Sequence, residues 1–345
     1  MRGSLVLARW LGPWAGTNKS PRVPVRDDVV GGLRVRVFGA SDARRGYVVA
    51  PGLHYAGPDD PRLDRFCRVL AAAGHVVVAP FVPSYLRLVP DAAAVRDFTT
   101  VVAERRRWCG DRPVAVFSIS FGSLLAFAAA AELGDELDGV TAFGGYADFH
   151  ETMKFCLAGE TGSGRVAVRD PLNQSVVLIN LLPMWRPELD ARQQADLAAG
   201  WRRFVEATWG RPELKTPERF VPIAEALAPS VPADVRELFL IGVGARPGAL
   251  ELANDALARY DARPLDPSPW LARVRGRVDL VHGADDDVIP FEQTHALAAK
   301  LRASGVDARV HITGLYGHTG ASRPTLRSAA TELATMTRIL RLLAR

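Results

Sequence analysis

From residue 33 onward, short β-branched runs alternate with longer stretches of helical periodicity, a rhythm that restricts the chain to a mostly parallel sheet covered by helices on both faces. Strands buried on both sides read as continuous apolar runs, and three segments do so: Gly46 to Ala50 (GYVVA), His75 to Pro80 (HVVVAP) and Pro113 to Phe117 (PVAVF). Leu33 to Phe38 instead alternates, as a more exposed early strand does. Between them, Pro61 to Ala73 places Leu63, Phe66, Val69 and Leu70 at helical spacing before Gly74 stops the helix. Asp91 to Cys109 predicts one further helix and Ser123 to Leu133 another. Val140 to Phe143 begins a short strand closed by Gly144-Gly145.

There the rhythm stops for more than a hundred residues. Residues 150–263 carry helical patterns interrupted by prolines, among them Pro171, Pro183, Pro222 and Pro247, and only Leu238 to Val243 passes for a strand. The pattern resumes with Arg277 to Val281 as a strand, Phe291 to Ala303 as a helix, Ala308 to Ile312 as a strand and Ser322 to Leu343 as a closing helix. The expected organisation is a core of residues 1–149 and 264–345 interrupted by a mainly helical cap, 150–263. That cap holds 14 basic and 15 acidic residues, so its mouth is not an anion funnel.

Composition removes several classes of function. The formal charge of +5 is dispersed, and its longest unbroken run, Arg105-Arg106-Arg107, is too short to track a phosphate backbone, so no nucleic acid is expected. Three cysteines, Cys67, Cys109 and Cys156, lie more than forty residues apart, which excludes a CxxC redox motif and a Cys-rich zinc site. No metal constellation and no dinucleotide-binding G-x-G-x-x-G appears, and no cofactor is expected. The most apolar stretches, Ser123 to Ala131 and Val176 to Leu182, are far shorter than the roughly 18 residues of a membrane span. Arg9 interrupts the apolar Ser4 to Leu11 and no cleavage site follows, so the expected location is cytoplasmic.

The most informative stretch is Phe117-Ser118-Ile119-Ser120-Phe121-Gly122-Ser123, between a buried strand and an apolar helix. A serine held on a tight strand-to-helix turn needs small residues two positions before and after it, and Ser118 and Gly122 meet that need. In the usual G-x-S-x-G form the first position is glycine; here it is Ser118. The alternative reading is an ordinary turn in which Ser120 caps the helix. Two more loops follow strands in the same way. Gly283-Ala284-Asp285-Asp286-Asp287-Val288-Ile289-Pro290 places carboxylates where open α/β sheets bind ligands, and Tyr316-Gly317-His318-Thr319-Gly320 places an imidazole there.

Elbow, acidic loop and Gly-His loop follow one another in the order Ser, Asp, His, and in this the chain resembles the α/β-hydrolase family over residues 33–149 and 264–345. The resemblance implies an α/β-hydrolase fold with an inserted helical cap, Ser120 as nucleophile, His318 as general base and Asp286 as the acid that orients it. Asp286 stands three after Gly283 and four before Pro290, as in the family pattern; Asp285, Asp287 and Asp148 are the other candidates. A developing oxyanion needs two backbone donors, one from Phe121 after the nucleophile and, by the resemblance, one from Leu53 in Pro51-Gly52-Leu53-His54. The family often has His-Gly where this chain has Pro51-Gly52. His54 reads as a loop residue near the site, and His75, His282 and His311 as structural. Trp185, Trp201, Trp209 and Trp270 would either line an apolar acyl pocket or pack within the cap.

The expected activity is that of a serine hydrolase cleaving a carboxylic ester, or a related acyl bond, through an acyl-enzyme on Ser120. The same groups would serve an acyltransferase, and the fold would also serve a non-catalytic ligand-binding protein. The expected partner is a small, apolar acyl compound, and the cap's apolar residues leave self-association open.

Overall fold

A computed structural model describes residues 2–11, 19–40, 42–314 and 329–344 of the chain. In chain order the described elements begin with α1 (Arg2–Leu11), β1 (Val25–Val30), β2 (Leu33–Phe38), β3 (Arg45–Ala50), α2 (Pro61–Ala72), β4 (His75–Pro80), α3 (Pro83–Leu86) and α4 (Ala93–Ala103). They continue with α5 (Arg106–Cys109), β5 (Val114–Ile119), α6 (Gly122–Leu133), β6 (Val140–Phe143), α7 (Phe149–Ala158), α8 (Gln174–Trp185), α9 (Ala191–Thr208) and α10 (Pro217–Leu227). The last are α11 (Arg236–Gly242), α12 (Ala249–Arg259), α13 (Ser268–Leu271), β7 (Val278–Gly283), α14 (Glu292–Ala303), β8 (Ala308–Thr313) and α15 (Ala329–Leu343).

The eight strands form one sheet in the order β1-β2-β4-β3-β5-β6-β7-β8. β2 runs antiparallel to both of its neighbours, and every pairing from β4 to β8 is parallel. Because side chains alternate along a strand, each buried strand feeds two cores. Val48, Val78, Val116 and Ala142 face the side covered by α4, α6, α14 and the inserted helices. Tyr47, Val49, Val77 and Phe117 face the opposite side, where α1, α2 and α15 supply Leu7, Leu70 and Leu340. A one-residue slip of any strand would exchange the two sets, so the register is fixed from both sides.

Helices α7 to α12 all lie between β6 and β7. Their buried residues, including Leu178, Trp201, Phe204 and Phe239, belong to the same continuous hydrophobic cluster as the sheet residues Val116 and Ala142.

Three readings of the sequence need correction. Leu238 to Val243 is no strand: Arg236–Gly242 is helix α11, with Phe239 and Leu240 buried, because a short apolar run packs equally well as the inner face of a helix. The helix expected over Asp91 to Cys109 is two, since Arg105 folds back to donate to the Val102 and Ala103 carbonyls that end α4. The sheet also begins before residue 33, with β1 as a half-polar edge strand (VRDDVV) paired to β2. The expected start of the closing helix at Ser322 lies outside the described residues, which take it up at Ala329. Among the described residues, no helix is long and apolar enough to cross a membrane.

Candidate active site

Ser120 directly follows β5 and is separated from the start of α6 by Phe121 alone, with φ at +54°. A side chain in this left-handed region costs about 1–3 kcal/mol, and it is held here by the surrounding packing. The Ser120 N–H donates to the Phe143 carbonyl of the neighbouring β6 at 2.7 Å, and the Ser120 carbonyl accepts from the Ser123 N–H at 3.0 Å. Glycine at 122 is a steric necessity. A Cβ there would lie 2.4 Å from the Ala50 carbonyl oxygen and 2.6 Å from that of Pro51. The Ser120 side chain does not act as the cap of α6: the capping position belongs to Phe121, and no side chain closes the helix.

That close approach also fixes the loop after β3 against the elbow. A Cβ built on Gly52 would stand 3.5 Å from the Ser120 Cβ. Leu53, Ser120 and Phe121 thus border one crevice of about 80 Å³, closed on its far side by Asn173, Trp209 and Lys215 of the inserted segment. Among the described residues, the Leu53 N–H has no hydrogen-bond partner. The N–H groups at the start of α6, beginning with Phe121, have no intrahelical acceptor, and the helix dipole makes this end favourable for negative charge. Tyr85, fully buried, donates to the Phe121 carbonyl at 2.9 Å and so orients the peptide beside the elbow.

The crevice shares Leu53, Phe121, Asn173, Trp209 and Val288 with an adjoining recess of about 40 Å³. The recess is apolar, with walls of Phe149, Met153, Cys156, Val176 and Val177. Burial pushes the Cys156 thiol up to about 12, and its S–H donates to the Val288 carbonyl at 3.4 Å. Of Trp185, Trp201, Trp209 and Trp270, only Trp209 lines the site. Trp201 is fully buried and donates to the Phe239 carbonyl, Trp185 packs against it, and Trp270 lies under Arg273.

The four candidate acids occupy distinct surroundings. Asp286 is buried, and its Oδ1 accepts the Val288 and Ile289 N–H groups at 2.9 and 2.8 Å, so the carboxylate is held by its own loop. Asp285 is exposed. Asp287 forms an ion pair with Lys215, and Lys215 also reaches Asp170 at 3.1 Å. Asp148 caps α7 by accepting the Glu151 N–H at 2.9 Å. His318 lies outside the described residues, in the stretch between β8 and α15, so its distance from Ser120 and Asp286 is not part of this geometry.

Sequence reasoning missed two clusters here. The first is the Lys215 bridge, joined by the Asp170 N–H donating to the Asp287 carbonyl at 2.7 Å, which ties the inserted segment to the acidic loop. The second is the pairing of His54 with Asp60 at 2.9 Å. Asp60 before Pro61 is a legible helix start, but its imidazole partner follows from how the loop turns. His282, read as structural, is fully buried and bonded to Thr294 and the Ile289 carbonyl, and its Nε2 also stands 3.3 Å from Asp286. No group of three or more His, Cys, Asp or Glu side chains forms a metal-binding cluster among the described residues.

No family model matches the chain, and no curated protein matches it in sequence. Among solved structures it is similar to the acylaminoacyl peptidase of Pyrococcus horikoshii, at 12% identity and a TM-score of 0.47 over 94% of this chain. The chain spans 41% of the length of that peptidase. It is also similar to an esterase of Pyrococcus furiosus, at 10% identity and a TM-score of 0.48, covering 93% of this chain and 90% of that one. An esterase/lipase from an uncultured bacterium is similar at 12% identity and 0.46, over 94% and 84%. Independently of these, the sheet order with its single antiparallel strand β2, the left-handed serine between β5 and α6, and the helices inserted after β6 describe one architecture: the chain has the α/β-hydrolase fold.

Proposed function

We propose that the protein is a serine hydrolase that cleaves a carboxylic ester of an apolar acyl group. The reading is carried by Ser120, a non-glycine residue held in left-handed backbone at the floor of a crevice that adjoins an apolar recess. Strain of this kind persists where the surroundings enforce it, and it lifts the hydroxyl clear of the sheet edge. In this reading His318 takes the Ser120 proton as the oxygen attacks the ester carbon, then delivers it to the departing alcohol. Water, activated by the same imidazole, then releases the acid. Asp286 is the acid best suited to orient the imidazole, since it alone of the four candidates is buried without being committed to a lysine or a helix cap. Leu53 and Phe121 donate to the oxyanion. Residues 150–263 act as the cap, with the acyl chain directed toward Met153 and Val176.

A fluorophosphonate probe tests the reading. Wild type should be labelled and Ser120→Ala should not, and hydrolysis of p-nitrophenyl butyrate should fall by at least about 10⁴-fold in Ser120→Ala. Equal labelling of both proteins, or none of wild type, overturns it.

A further inference from the structure

We infer that His54 is a positioning residue for the oxyanion site: its neutral imidazole ties the loop carrying Leu53 to the N-terminus of α2 through Asp60. The inference rests on the proposed role of Leu53 as an oxyanion donor and extends it to the question of what holds that donor in place.

The Ala56 N–H approaches His54 Nδ1 at 3.2 Å. A backbone N–H can only donate, so Nδ1 presents its lone pair and the ring proton sits on Nε2. Nε2 in turn faces Asp60 Oδ2 at 2.9 Å. The imidazole is therefore a two-ended clip whose tautomer is set by its partners. Its anchor is firm, because Asp60 Oδ1 also accepts the Arg62 N–H at 2.7 Å and the Leu63 N–H at 3.4 Å, capping α2, while Arg62 pairs with Oδ2 at 2.7 Å. Burial alone would raise the Asp60 carboxyl, but the hydrogen bonds from His54 and Arg62 outweigh it and hold it well below the usual carboxylate range.

The ring is also clamped on its faces. It stacks on Tyr55 with centroids 4.5 Å apart and lies 5.6 Å from Trp209 of the inserted segment. Tyr55 itself reaches the Glu206 carbonyl in α9 at 3.4 Å. His54 and Ser120 border the same crevice, as does Leu53, the residue just before His54 in the loop. With both nitrogens engaged, His54 is not free to take a proton from Ser120, so its contribution is to geometry. An oxyanion donor must stand about 2.7–3.1 Å from a position reached only in the transition state, so a loose loop lowers kcat and leaves substrate binding alone.

Three variants test this. His54→Phe keeps the aromatic faces and loses both hydrogen bonds; His54→Asn restores an acceptor near the Nδ1 position; His54→Gln restores a donor near the Nε2 position. With p-nitrophenyl butyrate, kcat of His54→Phe should fall about 10- to 100-fold, less than the 10²–10³ of losing a donor outright, with KM within about twofold. Affinity for an alkyl boronic acid should weaken in parallel with kcat. His54→Asn should recover more activity than His54→Gln, because the bond to Ala56 acts directly on the loop. Unchanged kcat in a folded His54→Phe, a loss confined to KM, or equal activity of the Asn and Gln variants would overturn the inference, the last also where His54→Phe does not fold. Failure of wild type to react with the fluorophosphonate would overturn the functional reading and this one with it, whereas a labelled wild type with indifferent His54 variants overturns this one alone.

Discussion

Two loops at the carboxyl edge of the sheet solve the same problem with the same parts. In the loop after β3, Asp60 accepts two backbone N–H groups two and three residues ahead of it and pairs with His54. In the loop after β7, Asp286 accepts the N–H groups of Val288 and Ile289, again two and three ahead, and stands beside His282. The difference lies in what else each group touches. His282 is sealed, with its nitrogens on Thr294 and the Ile289 carbonyl, whereas His54 borders the crevice over Ser120. Asp60 carries an arginine as well, whereas beside the second loop the cation from the inserted segment, Lys215, bonds the neighbouring Asp287. Identical backbone chemistry thus holds one carboxylate under an arginine and, in the proposed function, orients the other toward the reaction.

The sharpest way to break this contrast is to neutralise each carboxylate in turn. Asp286→Asn should lower kcat by about 10⁴-fold, the scale expected when an imidazole loses the partner that sets its tautomer. Asp60→Asn, which keeps the cap, should lose only about tenfold. Comparable losses in p-nitrophenyl ester turnover would mean that the two loops do not divide their labour as described.

The attachment of the second loop is tested by Lys215→Met, which removes the ammonium that bridges Asp170 and Asp287. Lys215 is about one-fifth exposed, so the penalty should be about 1–2 kcal/mol in urea unfolding, below that of a fully buried pair. A smaller drop in kcat, about three- to tenfold, should accompany it. No change in either quantity would separate the acidic loop from the inserted helices.

The smallest effect concerns acid. Because the folded-state pKa of Asp60 is depressed from 3.8, its contribution to stability is present above that pH and is lost as pH falls toward the folded value. Below about pH 4, wild type should therefore lose up to about 1.4 kcal/mol per pH unit that Asp60→Asn does not lose. Parallel stability curves for the two proteins would show that the carboxyl is not held ionised by His54 and Arg62.

How much of this was legible in the sequence follows from how local each feature is. The elbow is a strand, a small-x-Ser-x-Gly turn and a helix in direct succession, so Ser120 and Gly122 are legible locally, though the pattern alone also allows a capping serine. Asp286 is singled out among the acids only by the resemblance to the family pattern, three after Gly283 and four before Pro290, and its burial and amide contacts are what set it apart physically. β1 escaped because an edge strand with Arg26, Asp27 and Asp28 has no continuous apolar run. Leu238 to Val243 misled because six apolar or small residues satisfy a strand and a short buried helix equally. The His54 clip and the Lys215 bridge escaped for another reason. Each depends on where a loop or a distant helix arrives, 72 residues apart for Lys215 and Asp287, and no periodicity encodes that.

The shared hydrophobic cluster has a bearing on how molecules reach Ser120. Phe204 and Phe239 from the inserted helices are continuous with Val116 and Ala142 of the sheet, so swinging that whole segment outward would wet its apolar base at about 25 cal/mol for every Å² laid bare. A door hung on such a hinge would stay shut. At the rim of the crevice, around Trp209 and Arg211, the side chains are only partly covered or exposed, so small excursions there lay bare far less apolar surface.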